Sequence, residues 1–463
     1  MSSEIAEISL KAIGKQDTHL LSKNLDNSFF KNSYKQHSPF YIKQSVKTIQ
    51  NTENESNWPW GKKIKVEYNP KLMGDLLSNM AITIPLPAFP SETPGDLDRY
   101  APMIGYHLIK SVSMFVDEIL VEKIDSDWNV IYHNIYQDVD EEKMSELNLN
   151  RGWSHKIWAS NSAFQNIHKR MIPMTLPLRF FFSRRFDPNV SEKPYFPLCA
   201  IHKQKMEFEI EFHEKTFFTP TQSDIKLDYF NLITDEIKLS NDERLFMVKE
   251  PQIITTEFVG IHPSYENKPP MNEIVANLVP DIPVKTLHWF IRNSDFEKEF
   301  NPLDTVYGLE NLSVFNGTTY PQYANYTNRF NLSSVIPVGQ LVDDIYSEYD
   351  NVSDIDLYIN GEQVIRTLEN GPKYFRFYTT SKNSLSLPKH HHIYTYTFAL
   401  NPGDPNPTGY FDFSNTKSDK TFIKVKIKDS IPYKPRNGVW KMHLYYTGYR
   451  TMQFENGFMR FLR

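Results

Sequence analysis

Apolar and polar residues alternate with a period of two in several short stretches, which is the signature of a half-buried β-strand. In KKIKVEY, Ile64, Val66 and Tyr68 fall on one side and Lys63, Lys65 and Glu67 on the other. In MEFEIEF, Met206, Phe208, Ile210 and Phe212 alternate with three glutamates. In FIKVKIK, Phe422, Val425 and Ile427 stand against Lys424, Lys426 and Lys428, with one slip of register expected at Ile423. Proline-rich connections separate such stretches, among them 84–96, 184–197 and 262–270. A helical signal at 138–149 has Asp138 or Asp140 as its cap and Glu141 and Glu142 in its first turn, where acidic side chains suit the positive end of the helix. Strands joined by long loops, without regular strand–helix–strand alternation, predict antiparallel sandwiches or barrels.

A boundary is expected near residue 250. IKLDYFNLI (225–233) reads as a strand, SNDERLFMV (240–248) as a short helical or turn segment, and QIITTEF (252–258) starts a new β series after Glu250-Pro251. The predicted organisation is an N-terminal arm 1–24, a first jelly roll 25–240, a linker 241–250 and a second jelly roll 251–463. Each half has the length of an eight-stranded jelly roll, although no sequence repeat relates them.

Composition narrows the class further. The chain has 463 residues, with 26 Tyr, 32 Phe and 30 Pro, enough to build more than one core without staples. Its one cysteine, Cys199, excludes an internal disulfide. A formal net charge of -5 argues against a chain-wide basic surface for nucleic acid. The acidic, polar start MSSEIAEISLKAIGK does not read as a secretory signal, and no apolar run is long enough for a membrane span.

Catalytic signatures are missing: there is no GxxxxGK[ST], GxSxG, HExxH or CxxC. In the run His390-His391-His392, adjacent strand residues alternate faces, so at most His390 and His392 share one, and a polar strand start is the simpler reading. Asp138, Asp140, Glu141 and Glu142 are explained by helix capping before metal binding or sugar chemistry. Arg184 and Arg185 read as a solvated pair before they read as a phosphate site. Cys199, in PLCAIHKQ, reads as a small buried residue of a strand rather than a nucleophile. Seven N-x-[ST] sequons, at Asn54, Asn189, Asn311, Asn316, Asn325, Asn331 and Asn351, have meaning only in a secreted chain. No catalytic residue, metal ligand or cofactor is assigned, and a binding or structural protein is expected.

Several stretches together carry a family pattern. Near the N-terminus stand Asp17 and Leu20, then Phe29, Phe30, Lys31, Tyr34, Lys35, His37, Ser38 and Phe40. LPLRFFFSR (176–184) looks like a strand, with a paired strand following at 197–212. Asp242-Glu243-Arg244 forms an acidic-Glu-Arg signature, IPVKTLHWFIRN (282–293) a further strand, and INGEQ (359–363) an Asn-Gly hairpin. The strongest match is Asn401, Pro402, Pro407, Gly409, Phe413 and Ser414, which meets Asn-Pro-x4-Pro-x-Gly-x3-Phe-Ser without a gap. The closing stretch 445–461 matches more loosely. In this order and spacing the chain resembles the major capsid proteins of nucleocytoplasmic large DNA viruses. Leu21-Ser22-Lys23 departs from that family's Thr-Gly-Asn turn.

The resemblance implies an all-β fold of two consecutive eight-stranded antiparallel jelly rolls with long loops and a few short helices. It implies a non-enzymatic shell protein that forms pseudo-hexagonal homotrimers in the virion, assembled in the host cytoplasm. Neighbouring capsomers, minor capsid and penton proteins and an internal viral membrane are the implied partners, with no sequence-specific nucleic acid. Two other readings stand beside it: a double jelly-roll scaffold shaping a viral membrane precursor, and a carbohydrate-binding jelly roll. The 398–415 stretch is expected to be a backbone corner of the second barrel, with Phe411 and Phe413 re-entering a sheet on one face.

Overall fold

The computed structural model describes residues 37–87, 108–136, 172–184, 194–217, 225–294, 352–365, 371–383, 392–429 and 437–462, with isolated positions between them. Residues Phe40–Arg463 form one compact unit and Met1–Pro39 a separate one. The arm 1–24, Phe29, Phe30, Lys31, Tyr34, the helix expected at 138–149, Arg185, His390 and His391 lie outside the described residues. Asn54 is exposed, with φ 52°.

The strands up to residue 238 form two four-stranded antiparallel sheets. One holds β1 (Tyr41–Gln50), β8 (Tyr229–Lys238), β3 (Leu76–Leu86) and β6 (Ile172–Pro177), in that order. The other holds β2 (Lys63–Tyr68), β7 (Met206–Phe212), β4 (Ile109–Val116) and β5 (Ile119–Asp125). Strand alternation decides which side faces the facing sheet. Met206, Phe208, Ile210 and Phe212 are buried while the glutamates between them are not. Helix α1 (Ser126–Ile135) follows β5 directly, its first turn capped by Asp125, whose Oδ1 accepts from Trp128 N at 2.7 Å.

Helix α2 (Asn241–Lys249) leads to the second pair of sheets. Ser240 caps it, its Oγ accepting from Glu243 N at 3.4 Å, and Arg244 Nε pairs with the buried Asp75 at 3.0 Å. In one sheet β17 (Trp440–Glu455) lies between β9 (Gln252–Ile261), with its continuation β10 (Tyr265–Glu266), and β12 (Val284–Asn293), which in turn pairs β15 (Tyr394–Thr397). The other sheet runs β11 (Glu273–Asn277), β16 (Phe422–Ile427), β13 (Val352–Ile359), β14 (Glu362–Ile365). Counted along the chain, with β9 and β10 as one strand, both sandwiches place strands 1-8-3-6 in one sheet and 2-7-4-5 in the other. A helical stretch, 371–382, follows the fifth strand of the second sandwich as α1 follows that of the first. β18 (Phe458–Leu462) is an addition that pairs the end of β17. This repeated order, in all-β sheets with few short helices, is the double jelly roll.

Several expectations are corrected. β16 does not slip: Ile423, Val425 and Ile427 are all buried, and Phe422 turns outward to stack on Tyr358 at 4.8 Å. LPLRFFFSR is strand only through Pro177. Phe180, Phe181 and Phe182 are then all fully buried where the chain turns, Phe180 against Phe208, Phe181 against Phe196 and Phe258, and Phe182 against Phe196. IKLDYFNLI begins its strand only at Tyr229. Cys199 is buried as expected, but in a 3₁₀ turn (Leu198–Ile201), where burial pushes its thiol up to about 11.

Candidate functional site

The outward face of β12 is polar in sequence yet sealed. Lys285, Thr286 and His288 are 0% exposed. They lie where the second sandwich meets α1 and the turn after β6 of the first, and charged groups are buried there in numbers that need explanation. Arg184 Nη2 donates to Glu122 Oε1 on β5, and Nη1 to the Glu257 carbonyl of β9 at 3.0 Å. Its Nη1 lies 3.5 Å from Glu257 Oε1. Glu122 also accepts from the backbone of Phe181 at 2.8 Å and of Val259 at 2.9 Å. Burial pushes its carboxyl upward, against the pull of Arg184 and these two N–H groups. On the far side, Lys285 Nζ donates to Glu257 Oε2 and to the Asp404 carbonyl at 2.7 Å.

A second polar cluster extends along α1. Tyr136 OH hydrogen-bonds with His288 Nε2 at 2.8 Å and with Thr286 Oγ1 at 3.0 Å, and His288 Nδ1 with Thr395 Oγ1 at 2.9 Å. Tyr445 OH donates to Asp125 Oδ2 at 2.8 Å, and Arg292 Nη2 to Asp127 Oδ1 at 2.8 Å. Burial drives the His288 imidazole down to about 3, and burial with Asp127 nearby lifts Asp125 to about 7. The apolar cluster of the first sandwich continues across the seam to Phe258, Phe290, Tyr445 and Phe454.

The expected solvated reading of Arg184 is therefore wrong. It is 2% exposed, because the turn after β6 folds it back against Glu122. Glu122, Glu257, Lys285 and His288 were not singled out in the sequence. Their only signal is a charge or imidazole on the polar side of an otherwise apolar strand. His392 is buried just before β15. Among the described residues no group of three or more His, Cys, Asp or Glu is placed to hold a metal ion, and no helix is long and apolar enough to cross a membrane.

The family-pattern residues of 401–414 come together as one loop between β15 and β16. Asn401 Oδ1 accepts from Gly403 N at 3.2 Å, and Thr408 Oγ1 donates to the Asn401 carbonyl at 2.9 Å, closing the corner. Pro402 is buried and Pro407 exposed. Gly409 has φ +143°, and a Cβ there would sit 2.8 Å from the Phe398 carbonyl oxygen. Phe411 makes only an isolated bridge to Val284, and Phe413 opens a 3₁₀ turn (Phe413–Asn415) in which Asp412 Oδ1 accepts from Ser414 N at 2.9 Å. The re-entry into a sheet expected for both phenylalanines is thus limited to one bridge, because the Asp412 side chain turns the backbone away. The loop is tied to the seam through Lys285. His37, the one described member of the N-terminal set before Ser38, is exposed.

Two family models match in succession. One, described as the major capsid protein N-terminus, covers residues 28–243, and the other, described as the large eukaryotic DNA virus major capsid protein, covers 238–457. Among solved structures, the chain is similar to the capsid of the virus PBCV-1, at 16% identity over 94% of this chain and 100% of that one, with a TM-score of 0.67. It is also similar to the Faustovirus major capsid protein, at 12% identity over 97% and 98% of the two chains, with a TM-score of 0.56. Comparison with curated protein sequences found no match.

Removing one member of the buried set should cost far more than a surface charge. Arg184→Met is expected to lower unfolding free energy by ~3–5 kcal/mol, because Glu122 loses its counter-charge in the interior. Lys65→Met, on an exposed ion pair that water screens, should leave it close to the natural value. Urea denaturation of both variants checks the contrast.

The pH response follows from the two shifted groups. His288 is held neutral, so its stabilisation is complete above the unfolded value near 6.5 and is lost as pH falls toward 3. The buried His262, also shifted down by burial, acts in the same direction. Asp125 has the opposite sign: its contribution is complete below its ordinary value and is lost as pH rises to about 7. Between these limits they oppose one another, each by up to about 1.4 kcal/mol per pH unit. Urea midpoints at pH 7, 5.5 and 4.5 should fall more steeply with acid in Asp125→Asn than in the natural chain, and less steeply in His288→Gln.

At the loop, Gly409→Val should cost ~1–3 kcal/mol, since it meets both an unfavourable φ and a backbone oxygen. An unchanged melting temperature would remove the structural role assigned to this glycine.

Proposed function

This chain belongs to the major capsid proteins of large eukaryotic DNA viruses, and we propose that it builds the icosahedral shell of such a virus as pseudo-hexagonal homotrimers. The observation that carries the reading is the repeated strand order. Two sandwiches of the same topology are held in one compact body by a buried polar seam. Three such chains supply six similar blocks, and a ring of six blocks has the outline that tiles a surface.

In this reading the polypeptide is divided into an arm 1–24, a first jelly roll 25–240, a linker 241–250 and a second jelly roll 251–463. Its work is mechanical rather than catalytic. It is assembled in the host cytoplasm and meets neighbouring capsomers, minor capsid and penton proteins and an internal membrane. The Asn401, Pro402, Pro407, Gly409, Phe413 and Ser414 set serves as a structural corner, supported by its hydrogen bonds and by the tie from Lys285 to Asp404. The same structural role is proposed for Phe29, Phe30, Lys31, Tyr34 and His37.

Light scattering on the purified chain should give the mass of three copies. A mass of one copy at every concentration up to the solubility limit would sink the trimeric reading. Mass spectrometry of purified virions should place the chain among the most abundant species, which a transient scaffold would not be.

A further inference from the structure

The four outward sheet faces of the two sandwiches differ in chemistry. On β2-β7-β4-β5, Lys63–Glu209 and Lys65–Glu207 pair at 3.0 Å and Lys110–Glu211 at 2.7 Å. On β11-β16-β13-β14, Lys424 pairs with Glu273 at 2.8 Å. Crossed charges of this kind suit faces that stay in water. The outer face of β9-β17-β12-β15 is the buried seam, covered by α1.

The fourth face, on β1-β8-β3-β6, is the topological counterpart of the seam, and no helix among the described residues covers it as α1 covers the seam. Register places Val46, Ile233 and Ala81 in one row and Thr48, Asn231 and Thr83 in the next. Ile42 and Val46 are 65% and 57% exposed. The face carries few charges; Asp235 lies in a flanking row, accepting from Gln44 at 3.3 Å and Asn79 at 3.4 Å. Such a face resembles a subunit contact more than a solvated surface.

We propose that this face docks a second copy of the same chain, and that the occupant is the helical stretch 371–382 with the adjoining β14 of that copy. The inference rests on the trimeric reading and specifies its contact. The argument is internal equivalence. In one chain, the helix after the fifth strand of the first sandwich covers the 1-8-3-6 sheet of the second. The element equivalent to that helix is 371–382, and the sheet equivalent to that face is β1-β8-β3-β6.

Exposed side chains fit the pairing. Tyr378 on the stretch and Val364 on β14 are 58% and 43% exposed, and Lys373 and Lys382 are also exposed. Within the chain, the helix supplies the acid and the sheet the base, Asp127 to Arg292. Between chains the signs exchange, with Asp235 on the sheet and the lysines on the helix. The contact is heterologous, so it propagates in one rotational sense, and with the three copies of the trimeric reading it closes a ring in which internal and between-chain junctions alternate.

Two measurements test it. Val46→Glu and Tyr378→Glu should each convert a three-copy particle to single chains by light scattering, with the melting temperature of the chain changed little. In parallel, Val46→Cys should react with a maleimide at least ten-fold more slowly than Leu72→Cys, whose parent residue is 81% exposed. The native Cys199 is buried and contributes little background. If the natural chain is trimeric but both glutamate variants remain so, or if Val46→Cys labels as fast as Leu72→Cys in that trimer, this interface is overturned and the trimeric reading stands. A monomeric natural chain overturns both.

Discussion

Four charged side chains, Glu122, Arg184, Glu257 and Lys285, are buried where two β-sandwiches meet. An ion moved from water into protein interior is tolerated only when paired and hydrogen-bonded. Each half contributes one acid and one base. Glu122 with Arg184 belong to the first half, Glu257 with Lys285 to the second. The two pairs are then joined by Arg184 to the Glu257 carbonyl and by Val259 N to Glu122. Apolar contact alone allows two bodies to slide. Hydrogen bonds with fixed directions do not, so this network sets how the second sandwich is placed against the first.

The placement has consequences beyond the charges. Lys285 is extended toward the loop 398–415 and holds the Asp404 carbonyl, so the most recognisable stretch in the sequence is shaped partly by a residue more than a hundred positions earlier. The α1 cap shows a similar dependence. Asp125 ends β5, caps the helix through Oδ1 and accepts from Tyr445 of the other sandwich through Oδ2. One carboxylate thus serves local helix formation and long-range docking together.

Strand alternation made much of this architecture legible. MEFEIEF and KIKVEY read directly as β7 and β2, because their polar sides face water and their charges are unambiguous. The same rule could not show the seam. A period of two separates the faces of a strand, but it does not say whether the polar face meets solvent or another protein surface. KTLHWFIR carries Lys285, Thr286, His288 and Arg292 among its apolar residues, yet both of its faces are buried. Arg184 reads as solvated for the same reason: its partner Glu122 is 62 residues away. Phe180, Phe181 and Phe182 defeated the rule from the other side, since three adjacent buried aromatics require a turn with walls on every side. The boundary near residue 250 was legible from the break at Glu250-Pro251, and the family resemblance supplied the choice of jelly rolls among the sandwiches and barrels that alternation alone left open.

The two kinds of junction in the proposed ring differ in a way that suits their formation. The junction within the chain buries ions, and it forms while the polypeptide folds, when both partners are already tethered and the desolvation of the charges is offset by the cooperative collapse of the core around them. The between-chain face is made mainly of Thr, Asn, Ile, Val and Ala, with Asp235 in a flanking row. Its association would desolvate hydroxyls, amides and apolar groups rather than a buried four-charge set, which lowers the penalty that free subunits face on meeting. A chain with two unlike sandwiches can therefore fix one contact permanently and leave its counterpart able to form between complete subunits, a division that a single repeated sandwich cannot encode.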